Sequence, residues 1–188
     1  MRRKQLEESY DDCWIYILLL TTLTILIQSV KNYKFVVMGS YIGYNVFLIP
    51  GIYFLTNYIC KKYDYKKAIA SIAISGVIFV GYMVTMGFAL GRGLVLSSVI
   101  GDFCGYVVSQ FVNLMIYTFL LNNTRSPYLL ILLSYIFSIL IYYMIYTLMY
   151  LNIVIQDGYW TKYFITIAFE IIITIPIAFV DKHIKRGR

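Results

Sequence analysis

Residues 94–121, LVLSSVIGDFCGYVVSQFVNLMIYTFLL, decide how the chain folds. The run is apolar over more than the ~20 residues that a membrane-spanning helix needs. Yet Asp102, Gln110 and Asn113 lie in its interior. At about 100° per residue, Asp102, Tyr106, Gln110 and Asn113 fall near 0°, 40°, 80° and 20°, one narrow polar stripe. Gly101, Gly105 and Ser109 form a ridge of small residues beside it, which lets a second helix approach closely. A carboxylate in hydrocarbon costs roughly 2.5–3.5 kcal/mol even on the permissive insertion scale, so the stripe must face protein or a wet cavity. This helix is expected to form one wall of a polar pocket.

The surrounding chain fits that expectation. It has 188 residues, of which 61% are hydrophobic and 13% charged, with a mean hydropathy of +0.75. Soluble domains are nearer 45–50% apolar and about 25% charged, so the composition reads as an integral protein of the cell (inner) membrane. The net charge of +7 would suggest nucleic acid in a soluble protein. Here the basic residues sit at helix ends, where they orient the chain and meet anionic lipid, and no nucleic-acid partner is expected. Cys13, Cys60 and Cys104 have no metal or redox spacing and read as reduced thiols. No small-x-small cleavage site follows the first apolar run, which is expected to be a retained helix.

Six apolar segments emerge, at about 14–30, 35–60, 68–90, 94–121, 128–154 and 163–180. The expected fold is all-α, a single polytopic domain over 1–188 with six transmembrane helices. Orientation follows from Lys and Arg. With the N-terminus in the cytosol, twelve lie inside, in four groups: Arg2 to Lys4, Lys61 to Lys67, Arg125, and Lys182 to Arg188. Four lie outside: Lys31, Lys34, Arg92 and Lys162. The positive-inside rule then puts both termini in the cytosol, which requires an even number of spans.

Chemistry concentrates in a few places. Asp102 and Glu170 are the two carboxylates deep within the expected spans, with no Lys or Arg there to neutralise them. Thr166 and Thr174 flank Glu170 one turn away, and Pro176 frees a backbone carbonyl beyond it. Thr21, Thr24 and Gln28 share a face of the first helix, and Asn45 lies in the second segment. Such side chains either glue helices together or converge on a common interior. Tyr135, Ser138 and Tyr142 follow one another at helical spacing, with Tyr146 a turn on, either as packing or as a wall on which a flat ring stacks. A carboxylate accepts two parallel N–H bonds, as an aminopyrimidinone edge presents, while a coupling proton or sodium ion is equally allowed. No enzyme is expected: H-E-x-x-H, G-x-S-x-G and P-loop patterns are absent, and the single His183 lies in a basic tail. No cofactor and no metal site are expected.

Several segments taken together resemble a known family. Pro50, Thr56-Asn57, Lys61, Tyr63 and the KKA of residues 66–68 are similar to a signature of the vitamin-uptake, queuosine-precursor transporter family. GYVVSQFVNLMIY at 105–117 is similar to a second signature, and ITIPIAFVDKHIKR at 173–186 to that family's closing helix. Two aspartates of the family pattern are asparagines here, Asn57 and Asn113; its glycine is Asp64, and the arginine ahead of the second signature is absent. The resemblance implies a six-helix importer of 7-deazaguanine-type queuosine precursors, with Asn57, Gln110 and Asn113 at matched positions. The full expectation is an importer of a small flat nutrient, with its pocket between the first, second, fourth and sixth helices. Asn57, Gln110 and Asn113 would hydrogen-bond the ring, Asp102 or Glu170 would accept N–H groups or carry a coupling proton, and Tyr106 or Tyr142 would stack. Its partners would be the small-molecule substrate and the bilayer, with a homo-oligomer also compatible. Two rivals stand beside it. One is the substrate-binding subunit of an energy-coupling-factor vitamin importer, which would need an ATPase module as partner. The other is a non-transporting assembly or immunity protein of the membrane.

Overall fold

A computed structural model describes residues 2–30, 33–89, 96–123, 127–149 and 159–183. Among the described residues, six helices and one small hairpin follow each other. Helix α1 (Arg2–Val30) leads into strands β1 (Lys34–Val37) and β2 (Ser40–Gly43) and a 3-10 turn (Tyr44–Phe47). Then come α2 (Ile49–Lys62), α3 (Tyr65–Ala89), α4 (Leu96–Asn123), α5 (Pro127–Met149) and α6 (Tyr159–His183). Five stretches are long and apolar enough to cross a membrane: Asp12–Val30, Tyr65–Ala89, Val99–Phe119, Ile131–Met149 and Trp160–Asp181. The molecule is thus a helical, multi-pass membrane protein.

The second expected span, 35–60, is corrected. Its first part is an antiparallel hairpin in which Lys34 pairs with Gly43, Phe35 with Ile42, Val36 with Tyr41 and Val37 with Ser40. The turn is made by Met38 at φ 49° and Gly39 at φ 77°. Two consecutive positive φ values match the right-handed twist of the flanking strands, and glycine takes its share without a Cβ clash. Phe35 lies against Tyr44, Phe47 and Phe169, which fastens the hairpin to α6. Ile42 is fully buried on the other strand. Helix α2 itself has 14 residues. At 1.5 Å per residue it is about 21 Å long, short of the ~30 Å hydrocarbon core. Asn45 accordingly sits in the 3-10 turn, where its carbonyl accepts the Leu48 N–H at 2.9 Å, and belongs to no helix face.

Other boundaries differ less. Helix α1 continues outward through the charged residues to Arg2, and α6 runs past the expected end to His183. The expected residues 90, 94, 95 and 150–154 fall outside those described. Asp64 accepts the Lys67 N–H at 2.6 Å and so starts α3, while Pro127 takes the first position of α5, where its missing N–H costs nothing.

The core is built around α4, which packs most extensively on α5. The small-residue ridge serves that approach: a Cβ added at Gly105 would meet the Tyr142 ring at 3.2 Å. One end of the bundle collects the start of the α1 span and the ends of α2 and α6. There Lys62 Nζ lies 3.9 Å from Asp12 and 4.7 Å above the Tyr16 ring, and Lys61 Nζ donates to the Asp181 carbonyl at 2.7 Å.

Candidate functional site

The polar stripe of α4 faces inward along its length. Asp102, Tyr106, Gln110 and Asn113 are all buried, because the 3.6-residue period keeps positions 0, 4, 8 and 11 on one side. The groups opposite them divide the stripe into three levels.

At the first level lies a cavity of about 30 Å³. Its polar lining comes from Thr24 and Gln28 of α1 and from Asp102, Ser109 and Gln110 of α4, with Tyr106 and Tyr142 among the aromatic walls. Ile49, Ile52 and Tyr53 of α2 and Phe79 of α3 close the rest. Asp102 is only 2% exposed. Among the described residues, no Lys, Arg or His borders the cavity. The room corresponds to about two waters at roughly 10–15 Å³ each.

Several hydroxyl protons around this cavity are already committed. Thr24 Oγ1 donates to Leu20 O at 2.8 Å, and Ser109 Oγ to Tyr106 O at 3.0 Å. Ser75 Oγ donates to Ser71 O at 2.7 Å, so in its 2.6 Å contact with Tyr106 the tyrosine is the donor. Thr56 Oγ1 donates to Gln110 Oε1 at 2.8 Å, which leaves the Gln110 amide N–H groups for other acceptors. Gln28 Oε1 is buried and has no hydrogen-bond partner among the described residues. Tyr53, Tyr142 and the two glutamine amides also line the space, so the lining mixes groups that can donate with oxygens that accept.

At the second level the two signature asparagines meet each other. Asn113 Nδ2 donates to Asn57 Oδ1 at 2.8 Å. The structure brings both resemblance-matched positions together, but below the cavity rather than in its lining. The second amide atom of each, Asn57 Nδ2 and Asn113 Oδ1, is buried without a partner among the described residues.

The third level was not anticipated. Asp181 is fully buried and accepts Tyr135 Oη on Oδ2 at 2.9 Å and Tyr117 Oη on Oδ1 at 3.4 Å. Lys61 Nζ lies 3.7 Å from Oδ1, with its side chain only 7% exposed. Asp102 and Glu170 are thus not the only deep carboxylates, and a buried lysine is present after all. Sequence spacing hid the pair because the two residues end different helices 120 positions apart, and a lysine stem reaches several ångströms from its backbone. A signal did exist: Tyr117 continues the α4 stripe one turn past Asn113, and Tyr135 was already on the expected aromatic face.

Glu170 takes a separate place. It is buried and accepts Tyr143 Oη on Oε1 at 2.6 Å, while Oε2 has no partner among the described residues. The Tyr142 and Tyr143 rings meet edge to face, with centroids 5.4 Å apart. Glu170 therefore stands behind the Tyr142 wall, and no residue of α6 lines the cavity, which lies among α1, α2, α3, α4 and α5. Thr166 and Thr174 donate to the carbonyls of Lys162 and Glu170 on their own helix. The three cysteines are free thiols, and no cluster of metal-ligating side chains occurs among the described residues. Comparison of the chain with protein-family models, curated proteins and solved structures finds no match.

Proposed function

We propose that the chain is an importer of the inner membrane that binds a small polar solute in the cavity beside Asp102. One observation carries this: a cavity with hydroxyl, amide and carboxylate groups in its lining sits inside a bundle of membrane helices. Polar groups kept at such a cost in an apolar protein are retained where something hydrophilic meets them. The lining offers both acceptors and donors, and the flat 7-deazaguanine type implied by the family resemblance is one solute that presents both. At about 30 Å³ the cavity holds about two waters, so binding a ring requires the helices to part, as in alternating access.

Six spans with both termini cytosolic are part of this proposal. The contacts of Lys62 with Asp12 and of Lys61 with Asp181 support it, since they join the ends of α1, α2 and α6 at the lysine-rich face. Helix α2 is short, and the hairpin ahead of it, packed on α6 through Phe35 and Phe169, lengthens that crossing in this reading.

Uptake of labelled deazaguanines and of a panel of vitamins, in cells lacking their own route, tests the proposal. Asp102→Asn should abolish uptake of the accepted solute while the protein still inserts. Full uptake by that variant, or none of any solute by the parent chain, would overturn it.

A further inference from the structure

Resting on the importer reading above, we propose that Gln28 and Gln110 together read one edge of the solute, an N–H beside a C=O such as a cyclic amide carries. Gln28 accepts from the N–H, and Gln110 donates to the oxygen.

The two amides reach the same space from different helices. Gln28 lies near the end of α1 and Gln110 in the middle of α4; both line the cavity, at 8% and 1% exposure. A glutamine offers an acceptor or donors according to which way its amide is turned, so its chemistry follows from what fixes that turn. For Gln110 the fixing group stands on α2. Thr56 Oγ1 lies 2.8 Å from Gln110 Oε1 and 3.1 Å from the carbonyl of Ile52 on its own helix. The shorter contact takes the proton, which engages Gln110 Oε1 and leaves the amide N–H groups for the cavity.

Gln28 is the reverse case. Its Oε1 is buried with no hydrogen-bond partner among the described residues. Neighbouring hydroxyls on the lining serve other acceptors: Thr24 Oγ1, one turn back, donates to Leu20 O at 2.8 Å, and Ser109 Oγ to Tyr106 O at 3.0 Å. Tyr53 and Tyr142 share the lining, and neither hydroxyl bonds Gln28 Oε1. A buried amide oxygen without a donor is costly in an apolar interior, which is why such atoms are seldom left so. A solute N–H supplies the missing bond.

One amide thus presents an acceptor and the other presents donors. A solute with only a carbonyl, or only an amine, meets one of the two. A linear peptide carries both groups, but its trans bond points them to opposite sides. A ring holds the amide cis, so the N–H and C=O lie on one edge and meet both glutamines at once. The cavity therefore selects cyclic amides over peptides, simple amines and carboxylates.

Competition with the uptake of labelled 7-deazaguanine, in cells lacking their own route, tests the edge. The competitors are 7-deazahypoxanthine, which has the N–H and C=O, and 7-deazapurine, the same ring without them. In the parent chain the first should compete about tenfold better than the second, or more. Gln28→Met, which keeps the side-chain length and loses the polar end, should bring that ratio down about tenfold. Gln110→Met should lower it as well, and it carries the test if the Gln28 variant does not insert. Tyr135→Phe, at the Asp181 end of the bundle, should lower the amount of folded protein yet keep the ratio, as any purely structural role for Gln28 would. Equal competition by the two rings in the parent, or a ratio that survives both glutamine variants, overturns the edge and leaves the importer. Uptake confined to a solute without a cyclic amide does the same. No uptake of any solute by the parent overturns both.

Discussion

Two buried aspartates, Asp102 and Asp181, stand about 22 Å apart along the bundle, taking the 15 positions from Asp102 to Tyr117 on α4 at 1.5 Å each. They are equally hidden from solvent, and their surroundings are opposite. Asp181 is held by a lysine and two tyrosines, each bringing a proton to its oxygens. Asp102 instead lines a cavity between helices. The first arrangement is complete within the protein and ties α2, α4, α5 and α6 at one end. The second lies beside open space within the bundle. Burial of a charge thus does not by itself distinguish structure from function; one of these carboxylates lines a cavity and the other is packed against its partners.

That contrast can be broken most directly at Lys61. Lys61→Met leaves the Asp181 carboxylate without its cation, which should cost about 3–5 kcal/mol of folding stability. Denaturant titration of the purified protein in micelles measures it. Lys61→Met with Asp181→Leu should recover most of the loss, because removing both charges also removes the need to bury them. If the double variant is as unstable as the single one, Asp181 does more than pair with Lys61.

A smaller effect should follow from Tyr135→Phe. It deletes one hydrogen bond to a charged acceptor and fills the same volume, for a loss of about 1.5–3 kcal/mol in the same titration. A loss well below 1 kcal/mol would mean that Lys61 and Tyr117 alone hold the carboxylate.

The least expected effect lies between the two aspartates. A double-mutant cycle with Asn57→Ala and Asn113→Ala should give a coupling energy of about 0.6 kcal/mol, the usual worth of an interhelical hydrogen bond in a membrane protein. A coupling above about 2 kcal/mol would make the asparagine pair a third organising centre rather than a spacer between two.

Much of the α4 side of this contrast was legible in the residues. A helix has one period, so Asp102, Tyr106, Gln110 and Asn113 had to share a face once 94–121 was recognised as helical, and hydrocarbon forbids that face to point at lipid. The close approach at Gly105 was legible for the same reason. The hairpin was not. In KFVVMGSYIG the residues on both faces are apolar or aromatic, so the two-residue alternation that marks a strand is blurred. Met38-Gly39 is also a weaker turn signal than Asn-Gly. The β-branched Val36 and Val37 and the Gly39-Ser40 pair were the available hints.

The site divides along the same line. Which side chains of one helix lie together is a local property, and composition, periodicity and charge placement determined that α4 carries a buried polar stripe within a multi-pass membrane protein. Which helices face that stripe depends on packing between segments far apart in the chain. Only the tertiary structure decided that Gln28 and Thr24 share a cavity with Asp102, that Asn57 finds Asn113, that Glu170 bonds Tyr143 rather than lining that cavity, and that Lys61 reaches Asp181. The physical reason is that helical period is fixed by backbone geometry, whereas partner choice is fixed by how side-chain volumes and donors fit across an interface.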